Sequence, residues 1–485
     1  MLTRLVHIVM GVALLLPTAA GAQTLPDDAM LLQQARAYVD AARLAPGLVI
    51  GVLEADQTRF VAHGDSGHPR GTPLGPDSVF EIGSITKLTT ALLLAQMVAA
   101  GEVEYDQRIV TLFPEDIVLS ENLASITLEQ LATHTSGLPR LALNPGTLWR
   151  GLFSDDPYAG STPDEIFRAV AQTAATRLGE RGQYNYSNLG VALLGQLLAR
   201  KLGDHFAVAL EQRVFRPLGL PALPLAPLAH DAPTFVQGHT ENFRPAASWN
   251  LDAYAPAGGL QASARQLLDF AATQLVAPAD WVREAQRLRQ PLDAKSGRGA
   301  ALGWAVQRLG TREVWWHNGG TGGFRTHLAI VPDERIALVV LSNGKGDADA
   351  LARSILDPGR PPPQAGGRGW LAVILTLGGM LVAPLLGFTL QAREHSRGNA
   401  RAVDRCDAIG AGLSMGLLLL LVERIGDFAR VPFVLWWLAA LGCAALLMHL
   451  AWRARQWPWR SDRGWRFALR LVGVAFTGAI VALLL

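Results

Sequence analysis

The sequence predicts one α/β unit with a helical insertion, followed by a bundle of apolar helices. Three observations carry this reading. Strand-like runs stand at both ends of residues 23–360 with helical runs between them, so the late strands must return to the early ones. Residues 369–485 are mostly apolar blocks separated by arginine-rich connectors, whereas 23–360 have an ordinary mixed composition. Between the two lies LDPGRPPPQAGGRG (356–369), a Pro/Gly/Arg tether with no core-forming pattern.

Composition narrows the class further. The chain has 485 residues, 50% hydrophobic and 17% charged, which excludes a disordered or collagen-like polymer. A formal net charge of +2 gives no electrostatic reason to expect nucleic acid. Both cysteines, Cys406 and Cys443, lie beyond residue 400, so the first 400 residues hold neither a disulfide framework nor a cysteine-based zinc site.

At the start, MLTRLVHIVMGVALLLPTAAGAQ sets Arg4 before a short apolar run that ends at Ala20-Gly21-Ala22. That is the layout of an export signal, here residues 1–22, and it places the domain at 23–355 outside the cytoplasm. PGLVIGVLEADQTRFVAH (46–63) alternates about a turn at Ala55-Asp56, as a β-hairpin would. Apolar residues then recur every three to four positions from just after Gly83 until Gly101, which predicts a helix buried on most sides. Residues 105–290 carry helical runs such as TPDEIFRAVAQTA, NLGVALLGQLLARKLG and SARQLLDFAATQL; strand signals return in LGWAVQRLG, REVWWHNGG and FRTHLAIVPDERIALVVLSNG.

Four apolar stretches follow at 370–390, 408–424, 432–452 and 467–485, each near the ~20 residues that cross a bilayer as helix. The connector after the first carries Arg393, Arg397, Arg401 and Arg405, and that after the third carries Arg453, Arg455, Arg460, Arg463 and Arg466. Between the second and third there are only Arg424 and Arg430, so charge bias puts the first and third connectors in the cytoplasm. Trp370, Trp436, Trp452, Trp457, Trp459 and Trp465 fall near the predicted interfaces, and Gly412-x-x-x-Gly416 could admit a close helix neighbour.

Three short motifs carry the chemistry. Ser84-Ile85-Thr86-Lys87 puts a hydroxyl and an amine on one helical face at the helix start, where free backbone N–H groups can hold an oxyanion. With 17 Ser and four Lys in the chain, chance supplies this spacing roughly 0.14 times. Its apolar flanks place Lys87 beside a core, where desolvation lowers an amine's pKa. Tyr186-Ser187-Asn188 stands directly before a helix, so the phenol can project from a turn while Ser187 or Asn188 caps. His317-Asn318-Gly319-Gly320 ends a strand, where glycines leave N–H groups unshielded and admit a substrate backbone.

In this order the motifs make the chain similar to the serine β-lactamase and penicillin-binding-protein-like family, on its class C, esterase and D-peptidase side. LATHTSGLP (131–139), FSDDPYAGSTPDEIF (153–167), VFRPLGL (214–220), PAGGLQASARQLLDF (256–270) and HNGGTGGFRTHLAIVPDERIALVVLSN (317–343) share the resemblance. It implies an antiparallel sheet flanked by helices with a helical subdomain, and an acyl-transfer hydrolase that needs no metal or organic cofactor. Ser84 would be the nucleophile, with Lys87 and Tyr186 sharing its proton. Asn188 would orient the substrate amide or the lysine. The N–H groups of Ser84 and Gly320 would form the oxyanion hole, with His317 and Gly319 on the substrate-binding strand edge. The implied partners are a small-molecule or peptide substrate and a lipid bilayer, with the catalytic domain on the periplasmic side of a bacterial inner membrane.

One position departs from the family pattern. Members that bind a carboxylate usually carry lysine where this chain has His317, and histidine is charged only part of the time near neutral pH. This favours an esterase or peptidase of broader taste over a dedicated β-lactamase, with a peptidoglycan-directed D-peptidase or class C-like β-lactamase as the alternative. His134, His239 and His327 read as structural. The competing reading from another class is a membrane sensor of cell-wall fragments or penicillin, but the short cytoplasmic connectors carry no output domain.

Overall fold

The computed structural model describes residues 24–478 except 143–145, 147–149, 151–153, 226, 277, 294–296, 364–369, 396–403, 427–430, 460–471 and 476. The export signal expected at 1–22 lies outside the described residues.

Strand β1 (Gly47–Glu54) and β2 (Gln57–Gly64) form the expected hairpin. Its two-residue turn, Ala55 and Asp56, has φ of 50° and 63°, the left-handed pair that matches strand twist. A two-stranded ribbon pairs β3 (Val79–Glu81) with β4 (Gln261–Ser263). The late strands are β5 (Gln290–Asp293), β6 (Arg298–Ala300), β7 (Ala305–Leu309), β8 (Arg312–Gly320), β9 (Arg325–Val331) and β10 (Ile336–Ser342). The main sheet runs β2-β1-β10-β9-β8-β7-β6-β5, antiparallel throughout, and the predicted return of late strands to early ones is the β1–β10 pairing.

Both faces of the sheet centre are covered, which is why β1 and β10 are almost wholly apolar. Leu48, Ile50 and Val52 of β1, with Leu338 and Val340 of β10, pack on one side against Leu31 and Ala35 of α1 (Asp28–Arg36) and against the helix Ala348–Leu356. Alternate residues, Val49, Leu53, Val339 and Leu341, face the larger helical layer. At the centre of that layer is α2 (Thr86–Ala99), entered through a 3₁₀ turn at Gly83–Ile85 and buried on nearly every side. Helix α3 (Asn188–Leu202) packs on it and stops at Gly203, left-handed at φ 73°.

Asn343, at the end of β10, is fully buried and ties three segments together. Its Oδ1 accepts from Gly47 N at 2.7 Å, and its Nδ2 donates to Asp65 O at 3.0 Å and to Gln237 O at 3.1 Å.

Three helices among the described residues are long and apolar enough to cross a membrane: α4 (Trp370–His395), α5 (Arg405–Ile425) and α6 (Phe433–Ala454). They match the first three predicted stretches; the fourth, 467–485, lies largely outside the described residues. Close approach uses two glycines of α4 and also Gly412 of α5, where a methyl would lie 3.0 Å from Leu447, but not Gly416. A methyl at Gly379 would lie 2.3 Å from Val422, and one at Gly387 would lie 2.4 Å from Leu446, whereas Gly416 faces open space. Trp436 also serves packing, since its indole donates to Leu419 O at 3.0 Å.

Replacing Asn343 by Leu keeps the volume but strands one buried N–H and two carbonyls. Asn343→Leu should cost about 2–4 kcal/mol and lower the thermal unfolding midpoint of the detergent-solubilised chain. An unchanged midpoint would show that these bonds contribute nothing.

Candidate active site

Ser84 is the second residue of the 3₁₀ turn, and the turn is pressed against the end of β8. Gly83 has φ of 53°, and a side chain there would meet Gly320 N at 2.7 Å. Gly319 lies flat on Ile82, the residue before Gly83: a Cβ would stand 1.9 Å from Ile82 O. Thr326 of β9 donates its hydroxyl to the same carbonyl at 2.9 Å. Glycine at 83 and 319 is therefore what brings the Ser84 backbone alongside Gly320.

Two side chains converge on Ser84 Oγ. Lys87 Nζ lies 2.9 Å away and Tyr186 OH 2.8 Å away, while Lys87 also donates to Ala257 O at 2.6 Å. Lys87 is 1% exposed, and burial, helped by the charge of Arg140, holds it well below the usual lysine range. Burial pushes the Tyr186 phenol up, and its contact with Ser84 and the Arg140 guanidinium partly offset this.

The turn carrying Tyr186 is fixed on two sides. Ser187 is the N-cap of α3: its Oγ accepts from Gly190 N at 2.8 Å and donates to Pro139 O at 2.7 Å. His134, with φ of 59°, accepts Ser187 N–H on Nδ1 at 3.2 Å and lays its ring 4.5 Å from that of Tyr186. Its expected structural role is thus the positioning of the phenol. His327 is likewise structural, bonded to Asp349 at 2.8 Å and stacked on Trp316 of β8. His239 rests on Asn343 O at 3.2 Å.

At two positions the structure narrows the expectation. Asn188 Nδ2 donates to Tyr158 OH at 3.3 Å, and the bonds of Lys87 go to Ser84 and Ala257, so Asn188 does not orient the lysine. Its buried Oδ1 has no partner among the described residues. Burial pushes the His317 imidazole down to about 3, which favours the neutral ring near neutral pH. Its Nδ1 bonds Asn318 O at 2.7 Å, and its ring lies 6.4 Å from that of Tyr186.

Other residues of the site went unnoticed in the sequence. Tyr158 and Trp249, with ring centroids 5.4 Å apart, wall a narrow pocket of about 20 Å³ beside Ser84, Asn188 and Thr321. Trp249 N donates to the buried carboxyl of Glu81 at 3.0 Å, and burial raises that carboxyl to about 7. Arg140 is exposed, 5.2 Å from the centre of the Tyr186 ring, and forms no ion pair among the described residues. Nothing in local spacing marks these positions; the segment FSDDPYAGSTPDEIF was the one signal that could have pointed to Tyr158.

The family described as Beta-lactamase matches residues 33–358. The chain belongs to that family, and it is a serine hydrolase. It is 25% identical to "Penicillin-binding protein 4" of Amycolatopsis lactamdurans over 62% of this chain and 81% of that protein. It is 26% identical to "D-alanyl-D-alanine-carboxypeptidase/endopeptidase AmpH" of Escherichia coli (strain K12), over 61% of this chain and 79% of that one. Its fold is that of the octameric penicillin-binding protein homologue from Pyrococcus abyssi (TM-score 0.60, 20% identity, 69% of this chain and 78% of that). The class C beta lactamase from Rhodobacter sphaeroides shares the fold too (TM-score 0.58, 22% identity, 67% of this chain and 97% of that).

The direction of the Lys87 shift has a measurable sign. Unfolded, the amine binds a proton up to about pH 10.4; folded, it releases that proton well below this. Stability lost to its burial at neutral pH is therefore regained as pH rises toward the unfolded value. The stability of wild type minus that of Lys87→Met should climb between about pH 8 and 10 by as much as ~1.4 kcal/mol per pH unit. A flat difference would mean that Lys87 is charged in the fold.

His317 gives a second test. A ring neutral above its folded pKa of about 3 cannot switch anion affinity near neutrality. The ratio of kcat/KM for a carboxylate-bearing ester to that for its neutral analogue should stay flat from about pH 5 to 8. A step near pH 6.5 would show that His317 takes up charge on binding substrate.

Proposed function

We propose that this chain is a membrane-anchored, exported serine hydrolase that acts through an acyl-enzyme on an ester, amide or peptide. The observation that carries the reading is the meeting of Lys87 Nζ and Tyr186 OH on one hydroxyl, Ser84 Oγ, beside the backbone of Gly320.

With its pKa depressed, Lys87 offers a lone pair to the Ser84 proton as Oγ attacks the carbonyl carbon. Tyr186 shares that proton and passes it to the departing alcohol or amine. The negative charge on the carbonyl oxygen is held by the N–H groups of Ser84 and Gly320, and loss of such a donor typically costs roughly 10²–10³ in rate. Water, deprotonated by the same pair, then attacks the acyl carbon and returns Ser84. Asn188 Oδ1, buried and unpartnered among the described residues, is placed to accept a substrate N–H, while Gly319 and His317 keep the strand edge narrow for an extended substrate.

Substrate preference follows from charge. A neutral His317 offers no cation to a carboxylate, which supports an ester or an internal peptide over a β-lactam. The carboxypeptidase and endopeptidase activities named for AmpH support the peptide class. Helices α4, α5 and α6, with arginines clustered in the first and third connectors, support an inner-membrane anchor with the domain at 23–355 in the periplasm.

Washed membranes from cells expressing the full chain should bind a fluorescent fluorophosphonate stoichiometrically, and a fluorescent penicillin weakly. Ser84→Ala should abolish the first label; a label that persists on another serine ends the assignment. Lys87→Ala and Tyr186→Phe should each slow ester turnover by roughly 10²–10⁴, and the double variant should be little worse than the poorer single one. Losses that multiply would show that the two groups act separately.

A further inference from the structure

Among the described residues the catalytic domain bonds to the helix bundle through the loop at 238–246, and that loop also braces the strand end that carries Gly320. Residues 238–246 fold back on themselves: Thr240 N donates to Arg244 O at 2.9 Å and Ala246 N to Gly238 O at 2.8 Å. The tip meets the bundle where α5 ends and α6 begins. Asn242 Nδ2 donates to Glu423 O at 3.2 Å, Arg244 forms an ion pair with the Glu423 carboxylate, and its guanidinium lies 5.4 Å from the Phe433 ring. Charge bias in the connectors puts that end of the bundle on the same side as the catalytic domain, so contact and topology agree.

The base of the loop meets the active site. His239 N donates to Gly323 O at 3.1 Å. Gly323 and Gly238 lie backbone on backbone, a Cβ on Gly323 falling 2.6 Å from Gly238 Cα. Gly322 packs on Trp249, whose Nε1 lies 2.6 Å from where a Cβ would stand. Thr321 to Phe324 is a tight turn closed by Thr321 N to Phe324 O at 3.2 Å, and Gly320 opens it. The path from Glu423 to the Gly320 N–H thus runs through the Arg244 ion pair, the hydrogen-bonded 238–246 loop, the His239 N to Gly323 O bond and the turn at Thr321–Phe324.

We infer that the bundle end formed by α5 and α6 positions the oxyanion-binding end of β8, with Glu423 acting as a positioning residue through Arg244 and the 238–246 loop. The inference rests on the serine hydrolase reading of Ser84. It gives the multi-span region a task beyond anchoring. An oxyanion donor must sit within a fraction of an ångström of its oxygen to be effective, so a loop held at both ends by packing keeps that donor in place. The ion pair is partly exposed, hence its contribution is to geometry more than to global stability.

The test uses the full chain in native membranes, with active sites counted by the endpoint of fluorophosphonate labelling and turnover measured on p-nitrophenyl acetate. Glu423→Arg and Arg244→Glu should each lower kcat per labelled site by about three- to tenfold, with KM changed less than about twofold. The double variant Glu423→Arg, Arg244→Glu, which restores an opposite-charge pair, should regain at least half of the wild-type kcat. Single variants with wild-type kcat, or a double variant no better than the poorer single, would overturn the inference. Wild-type membranes that take up no fluorophosphonate would instead defeat the hydrolase reading itself, a result separable from indifference of the single variants.

Discussion

Everything at the active site depends on one close contact, the seating of the Ile82–Ser84 backbone on the last two residues of β8. Two chains can approach this closely only where neither carries a side chain, and Gly83 and Gly319 meet that demand from opposite sides. The contact sets the distance between the Ser84 and Gly320 amides. It also fixes the start of α2, and hence the height at which Lys87, one turn on, reaches back to the hydroxyl. The eight-stranded sheet is the rigid platform that makes such a contact reproducible, since β8 is held by β7 on one edge and β9 on the other.

Around that contact the electrostatics run against ordinary protein design. Lys87, His134 and His317 are buried near one another, and burial drives each toward its uncharged form. A site of neutral bases costs folding free energy, yet it gives the nucleophile a proton acceptor that is free at working pH. Arg140, the nearby exposed cation, adds to the effect for Lys87. The departure of His317 from lysine belongs to the same pattern: a cation there would lie close to Lys87 in a low-dielectric site.

The parts legible in the sequence were those written in local periodicity or in tight spacing. The hairpin at 46–63, the helix after Gly83 and the strand pair ending at Asn343 follow from apolar alternation and turn residues. The Ser84–Lys87 pair follows from helical geometry, and the joining of Tyr186 to it came from family resemblance. What could not be read were contacts between segments far apart in the chain. Tyr158 and Trp249 face each other across about ninety residues of sequence with no pattern linking them. The charge state of His317 could not be read because burial is a property of the whole fold and not of the tetrapeptide around it. The loop at 238–246 has an unremarkable sequence, and its link to Glu423 exists only in three dimensions.

The narrowness of the pocket beside Ser84 bears on how long a covalent adduct survives. A space of about 20 Å³ holds roughly one water molecule. On the acyl-enzyme reading, an acyl group that entered it would displace that molecule, so Tyr158 and Trp249, rather than the reacting groups, limit how large a group can leave the water in place.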